Sequence, residues 1–179
     1  GDIDPVTNRN YVTDAQLTVI GNTSGTNTGD QTSVTGNAGT ATALQTGRTI
    51  DNVTFDGTAN IKLNRVWQGK LAGELDTLTT GVKLTFRMPY ACTITGVKAA
   101  VNTASSSGNI TIDIHENGTT IMATNKITIE ATETTSLDAT TQPTVSDTSI
   151  AADALMTIEV DAAGTNAISG EVTIFYTLQ

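Results

Sequence analysis

The segment DIHENG at residues 113–118 gathers donor atoms more densely than the rest of the chain: Asp113, His115, Glu116 and Asn117. On a strand, Asp113 and His115 share one face, because side chains alternate. A carboxylate beside an imidazole is the beginning of a metal site. His115 is the only histidine, so no second imidazole is available to complete one. The same residues also make a polar outer face leading into a hairpin turn, and this plainer reading is preferred. No metal and no other cofactor is expected.

Catalytic chemistry finds little footing. With one histidine, a Ser–His–Asp triad has a single possible base, and no serine sits in a nucleophile-elbow motif. Glycoside cleavage needs two carboxylates at a set separation. Glu74, Asp76, Glu130, Glu133 and Asp138 are present, but solvation of a surface accounts for them. No catalytic residue is assigned, and the chain is read as no enzyme. Trp67, the only tryptophan, can stack on a sugar ring. It lies in NRVWQGKLAG, where the composition changes, so packing is the better reading. Cys92 is the only cysteine. It excludes an intrachain disulfide and, in PYACTITGV, reads as a buried inert thiol.

Two polar stretches are better candidates for recognition: NTASSSGN at 102–109 and ATETTSLDATTQPTVSD at 131–147. Short hydroxyl and amide side chains hydrogen-bond a saccharide at little entropic cost. If the strands around them alternate up and down, both connections fall at one end of the domain. The candidate binding residues are Asn102, Ser105, Ser106, Ser107, Asn109, Thr134, Thr135 and Asp138. The alternative is that these stretches merely connect strands.

The elements that hold these residues are strands. Charged residues are 15% of the 179, with sixteen Gly, three Pro and about a fifth Thr. Thr is β-branched and favours strands over helix interiors. In GVKLTFRMP, Val82, Leu84, Phe86 and Met88 face one way. In GVKAAVN, Val97, Ala99 and Val101 point inward, and in GNITIDIHENG so do Ile110, Ile112 and Ile114. Asn117-Gly118 is a strong hairpin signal. LMTIEV (Met156, Ile158, Val160) and GEVTIFYTLQ (Val172, Ile174, Tyr176, Leu178) repeat the alternation, with Phe175 on the opposite face, where a subunit interface would suit it. Half-buried alternation over 64–179 predicts an antiparallel β-sandwich of jelly-roll type. The net charge of −9, with no basic cluster, argues against nucleic acid. No stretch approaches the length of an apolar membrane span, so no membrane insertion is expected.

Residues 1–63 differ. YVTDAQLTVIG carries a helix signal over 13–20: Thr13 caps, Gln16 completes a capping box, and Val12 and Leu17 form a staple. Such a helix is too short to persist alone. Between Ile20 and Ile50 the only large apolar residues are Val34 and Leu44. Two buried aliphatics return far less than the cost of ordering that backbone, so other chains must share the burial or the stretch stays disordered. Ile50, Val53, Phe55, Ile61 and Leu63 then surround Asp56-Gly57, predicting strand–turn–strand over 48–63. The start at Gly1-Asp2, without Met, suggests a piece of a longer protein.

VTGNAGTATALQTGRTIDNVTFDGTANIKL resembles the Gly/Ala/Thr-rich shaft repeat of bacteriophage tail fibres. The matching residues are Gly36, Asn37, Ala38, Thr40, Ala41, Arg48, Thr49, Ile50, Val53, Phe55, Asp56, Gly57, Ala59, Asn60 and Ile61. Asp51-Asn52 stands where that family commonly has Asn-Gly. NRNYVTDAQLTVIGNTSGTNTGDQ and FRMPYACTITGVKAAVN look like further segments of such proteins. The resemblance implies a homotrimer, with Val34, Leu44, Ile50, Val53, Phe55 and Ile61 facing the axis. It implies a shaft or linker at 1–63 and a distal head at 64–179. It further implies a place in the virion beside upstream fibre or tail proteins, and adhesion to a host-surface glycan or outer-envelope receptor. The alternative is a trimerisation cap or virion decoration module without receptor contact.

Overall fold

The computed structural model describes residues 46–179. The helix expected at 13–20 and the axis residues Val34 and Leu44 lie outside them. Among the described residues every regular element is a strand. A short hairpin comes first: β1 (Arg48–Ile50) and β2 (Val53–Phe55). β3 (Asn64–Thr77), β4 (Gly81–Arg87), β5 (Cys92–Ala100) and β6 (Ile110–Glu116) follow. β7 (Thr119–Thr120), β8 (Ile127–Ile129), β9 (Ser149–Ile150), β10 (Leu155–Ala163) and β11 (Ile168–Leu178) complete the chain.

Two antiparallel sheets form a sandwich-like pair. One has the order β3-β11-β5-β9; the other has β4-β10-β6, with β7 and β8 both pairing β6. The chain changes sheet at β3–β4, β4–β5 and β5–β6, and again from β8 through β11. The inner faces supply one apolar cluster. Cys92, Ile94, Ala99, Val172 and Ile174 come from the first sheet; Ile110, Ile112, Ile114, Met156, Ile158 and Val160 come from the second. Isoleucine dominates because a branched, stiff side chain suits a pleated, buried surface. Trp67 stacks on Phe86 across β3 and β4, with ring centroids 4.0 Å apart and planes 16° from parallel. Packing is therefore its role. A Cβ at Gly69 would overlap the Trp67 ring and Leu84, so glycine leaves room for the indole.

Bulges decide where the alternation reads through. Pairing of β4 with β10 passes from Leu84–Ile158 directly to Val82–Glu159, leaving Lys83 as the extra residue. A bulge reverses the face of everything beyond it. Val82, expected inward, is instead 58% exposed. In β5, Thr95 is the extra residue between Ile94 and Gly96. It lets Cys92 and Ile94 before it, and Ala99 and Val101 after it, all face the core.

The turns follow residue chemistry. Asn117 and Gly118 have φ of 49° and 83°, the doubly left-handed pair of a two-residue hairpin. The β1–β2 hairpin corrects an expectation. Its turn is Asp51-Asn52, with φ of 49° and 60°, rather than Asp56-Gly57. Asp and Asn tolerate this region better than other non-glycine residues. Asp56 instead accepts hydrogen bonds from the Thr58 amide at 2.9 Å and hydroxyl at 2.6 Å, a local side-chain turn. The paired residues end at Phe55, so Ile61 and Leu63 lie outside any strand.

Candidate functional site

The two polar connections do meet. Thr132 N–H donates to Ser105 O at 2.8 Å, and Val101 N–H to Thr134 O at 2.9 Å. Ala131 N–H donates to Asn109 Oδ1 at 3.1 Å. Asn102, Ser106, Ser107, Asn109 and Thr134 are exposed, and Thr135 is half-buried opposite Ala100. Asp138 is exposed but sits further along, where the second connection turns back along the sandwich. There Ser136 N–H donates to Ala99 O at 2.9 Å, and Ala99 N–H to Ser136 Oγ at 2.9 Å. Gln142 holds this return by donating to the carbonyls of Ser136, Leu137 and Ala139. Much of 131–147 therefore lies against the domain as structure.

Ser105 corrects the sequence reading. It has no accessible surface. Its hydroxyl donates to Ser107 O at 2.7 Å and accepts from Thr165 N–H at 2.8 Å. It shapes the end of the domain and cannot touch a receptor from there. The partner it holds is a third connection, Gly164–Asn166, which the sequence reading passed over. Ser106 Oγ donates to Thr165 O at 3.2 Å, and Ser107 Oγ to Thr165 Oγ1 at 3.1 Å. Gly164 and Asn166 have φ of 63° and 60°. The Gly-Thr-Asn run was the available turn signal.

Asp113 and His115 share a face, as the alternation requires, but Asp113 is not open to solvent. Its side chain is 3% exposed, with Lys126 Nζ at 2.7 Å and His115 Nε2 at 3.6 Å from Oδ2. The other oxygen accepts from Thr120 Oγ1 at 2.6 Å and from Ile114 N–H at 2.8 Å. Burial pushes this carboxyl up. The hydrogen bonds from Lys126 and Thr120 and the charges of His115 and Lys126 outweigh that, and hold it below the usual carboxylate range. Lys126 also reaches Asp161 Oδ2 at 2.7 Å; its hydrogen bonds to Asp113 and Asp161 push its ammonium pKa well up. The cation at this carboxylate is thus a lysine supplied from before β8, which spacing along DIHENG could not reveal. Among the described residues no cluster of three His, Cys, Asp or Glu collects.

Three expected axis residues come together. Ile50, Phe55 and Ile61 line an open depression of about 510 Å³ with Leu178. Ile50 is 42% exposed and Leu178 37%. Val53 is half-buried opposite Ile50. Phe175 lies half-buried on the outer face, paired with the exposed Val66, and Lys98 Nζ sits 5.4 Å from its ring centroid.

No protein-family model matches the chain, and no curated protein matches its sequence. A solved structure to which it is similar is the acid-stable capsid of the Helicobacter pylori bacteriophage KHP30. Identity is 14% and the TM-score 0.38, over 66% of this chain and 94% of that one. A likeness this loose has no bearing on function.

Proposed function

We propose that the chain is a structural and adhesive component of a bacteriophage tail fibre. In this reading residues 64–179 are a jelly-roll head, carried as a homotrimer on a thin shaft or linker and placed on the virion to face the host. The shaft-like run at 33–63 supports the family. The strand orders β3-β11-β5-β9 and β4-β10-β6, with nearly every connection changing sheet, support the jelly roll. The carrying observation is the end of the domain where Asn102, Ser106, Ser107, Asn109 and Thr134 stand exposed on backbone tied down by Ser105, Thr132 and Thr165. Polar groups on a fixed backbone bind a glycan with little ordering cost. Weak sites on three copies act together, with avidity gains of roughly 10²–10⁴. No catalytic role, nucleic-acid partner or membrane insertion is part of this reading.

A second reading has its own observation. The apolar depression of Ile50, Phe55, Ile61 and Leu178 suits a domain whose task is to clamp a trimer or decorate the virion, with no receptor contact.

The test uses the full chain. Light scattering is expected to give three chain masses. Labelled protein is expected to attach to cells within a panel of bacterial strains, with purified envelope glycan competing. Trimers that attach to no strain favour the clamp; a monomer at micromolar concentration removes the trimeric fibre head and the trimer clamp, leaving only the decoration module.

A further inference from the structure

A second polar surface lies on the outer side of β6 and β8. It is a shallow depression of about 340 Å³ lined by, among others, Asn109, Thr111, Asn125, Lys126, Thr128 and Glu130. That volume is at the lower end of small-molecule sites. No large apolar side chain lines it, so a greasy ligand gains little there. Its polar groups are already held. Asn109 Oδ1 is occupied by Ala131 N–H at 3.1 Å, which turns the amide and leaves its NH₂ as a donor. Glu130 accepts from Thr140 N–H at 3.1 Å and Thr140 Oγ1 at 3.2 Å, one bond to each oxygen, with lone pairs to spare. Lys126 is clamped between Asp113 and Asp161 at 2.7 Å each. Thr128 Oγ1 donates to Lys126 O at 3.3 Å and still has acceptor capacity.

We propose that this depression is a saccharide subsite for a neutral, hydroxyl-rich ring or short oligosaccharide. Fixed donors and acceptors side by side suit hydroxyl groups, each of which both gives and takes a hydrogen bond. Charge selects against acidic sugars. Lys126, the cation lining the depression, is already neutralised by two carboxylates, and Glu130 lines it too. No aromatic ring provides a stacking platform, so each copy binds weakly and depends on multivalency. The proposal rests on the adhesive reading above and deepens it by narrowing the ligand to neutral sugars and by extending the surface from Asn109 at the loop end onto the outer side of β6 and β8.

The experiment titrates the full chain with methyl glucoside, methyl galactoside and N-acetylglucosamine. N-acetylneuraminic acid and glucuronic acid serve as acidic comparators. Saturation-transfer NMR reads the sugar, and amide shifts read the protein. At least one neutral sugar is expected to bind, to move the amides of Asn125 and Thr128, and to lose tenfold or more affinity in Thr111→Val/Asn125→Ala. Neither substituted side chain makes a hydrogen bond within the described fold, and an unchanged melting curve confirms that folding is kept. The shift map on the unaltered protein decides the matter should the variant misfold. Absence of binding by any neutral sugar, shifts confined elsewhere, or equal binding of the acidic sugars overturns the subsite. Attachment of the same preparation to bacterial cells separates the two claims. Attachment with a silent depression rejects the subsite alone; no attachment rejects the adhesive reading with it.

Discussion

Lys126 Nζ stands 2.7 Å from Asp113 Oδ2, where the Asp113 side chain is 3% exposed and the Lys126 side chain 35%. The same nitrogen meets Asp161 in β10 at 2.7 Å. β6 lies between β8 and β10, so one ammonium ties three neighbouring strands on their outer side.

Removing the ammonium strands a buried charge. Lys126→Met is expected to cost about 3–5 kcal/mol in urea unfolding. Asp161→Asn, at a partly exposed position, is expected to cost no more than about 1 kcal/mol. Equal losses for the two variants contradict the clamp.

Acid weakens the same clamp. Asp113 has a folded pKa held below 3.8. Its contribution is fully present above that value and is lost as pH falls through the depressed one. Lys126 is raised from 10.5, so its contribution is present below that value and fades only as pH rises through the folded one. Melting temperature scanned from about pH 2 to neutrality is expected to fall on the acid side. Asp113→Asn should flatten that limb.

The end of the domain depends on Gly164. Its φ of 63° and the closeness of the Ser105 side chain leave no place for a Cβ. Gly164→Ala is expected to cost about 2 kcal/mol through left-handed strain and overlap. Ser105→Ala removes one of two acceptors of the Thr165 amide, which keeps Ser107 O at 3.0 Å, and is expected to cost about 1 kcal/mol. Because the residues touch, the double variant should cost less than the sum, as measured by a double-mutant cycle.

The trimer reading makes a separate demand. Charges at Ile50→Asp and Phe55→Asp are expected to reduce the mass in light scattering to one chain. Circular dichroism of the sandwich should not change, because neither residue belongs to the core. A trimer that survives both changes removes the axis assignment.

Cys92 has no accessible surface. Burial, and secondarily the charge of Glu116, push its thiol up. Maleimide labelling followed by mass spectrometry is expected to show no reaction until the protein unfolds.

Period-two reading found the core where strands run without interruption. Ile110, Ile112 and Ile114, and Met156, Ile158 and Val160, are all fully buried, because no extra residue falls inside either run: the bulges of their ladders insert Lys83 in β4 and Asp161 beyond Val160. It misplaced Val82, since the bulge at Lys83 depends on β10, which is paired from some seventy residues away in the sequence. The hairpin turn at Asp51-Asn52 went unread because Asp56-Gly57 carries the stronger local signal. At the candidate site, the meeting of 102–109 with 131–135 was legible as strand parity. The burial of Ser105 was not, because its hydroxyl is claimed by Thr165, a residue sixty positions on.

The order of apolar and polar residues determined by itself that this domain is all-β, which faces of its strands are apolar, and where Asn117-Gly118 turns. Those properties follow from bond geometry and side-chain type within a few residues. Tertiary structure alone decided that Lys126 neutralises Asp113, that Gly164–Asn166 joins the loop end, and that Asn109, Asn125 and Glu130 share one depression. Those pairings exist only once distant strands lie side by side, and no local spacing encodes them.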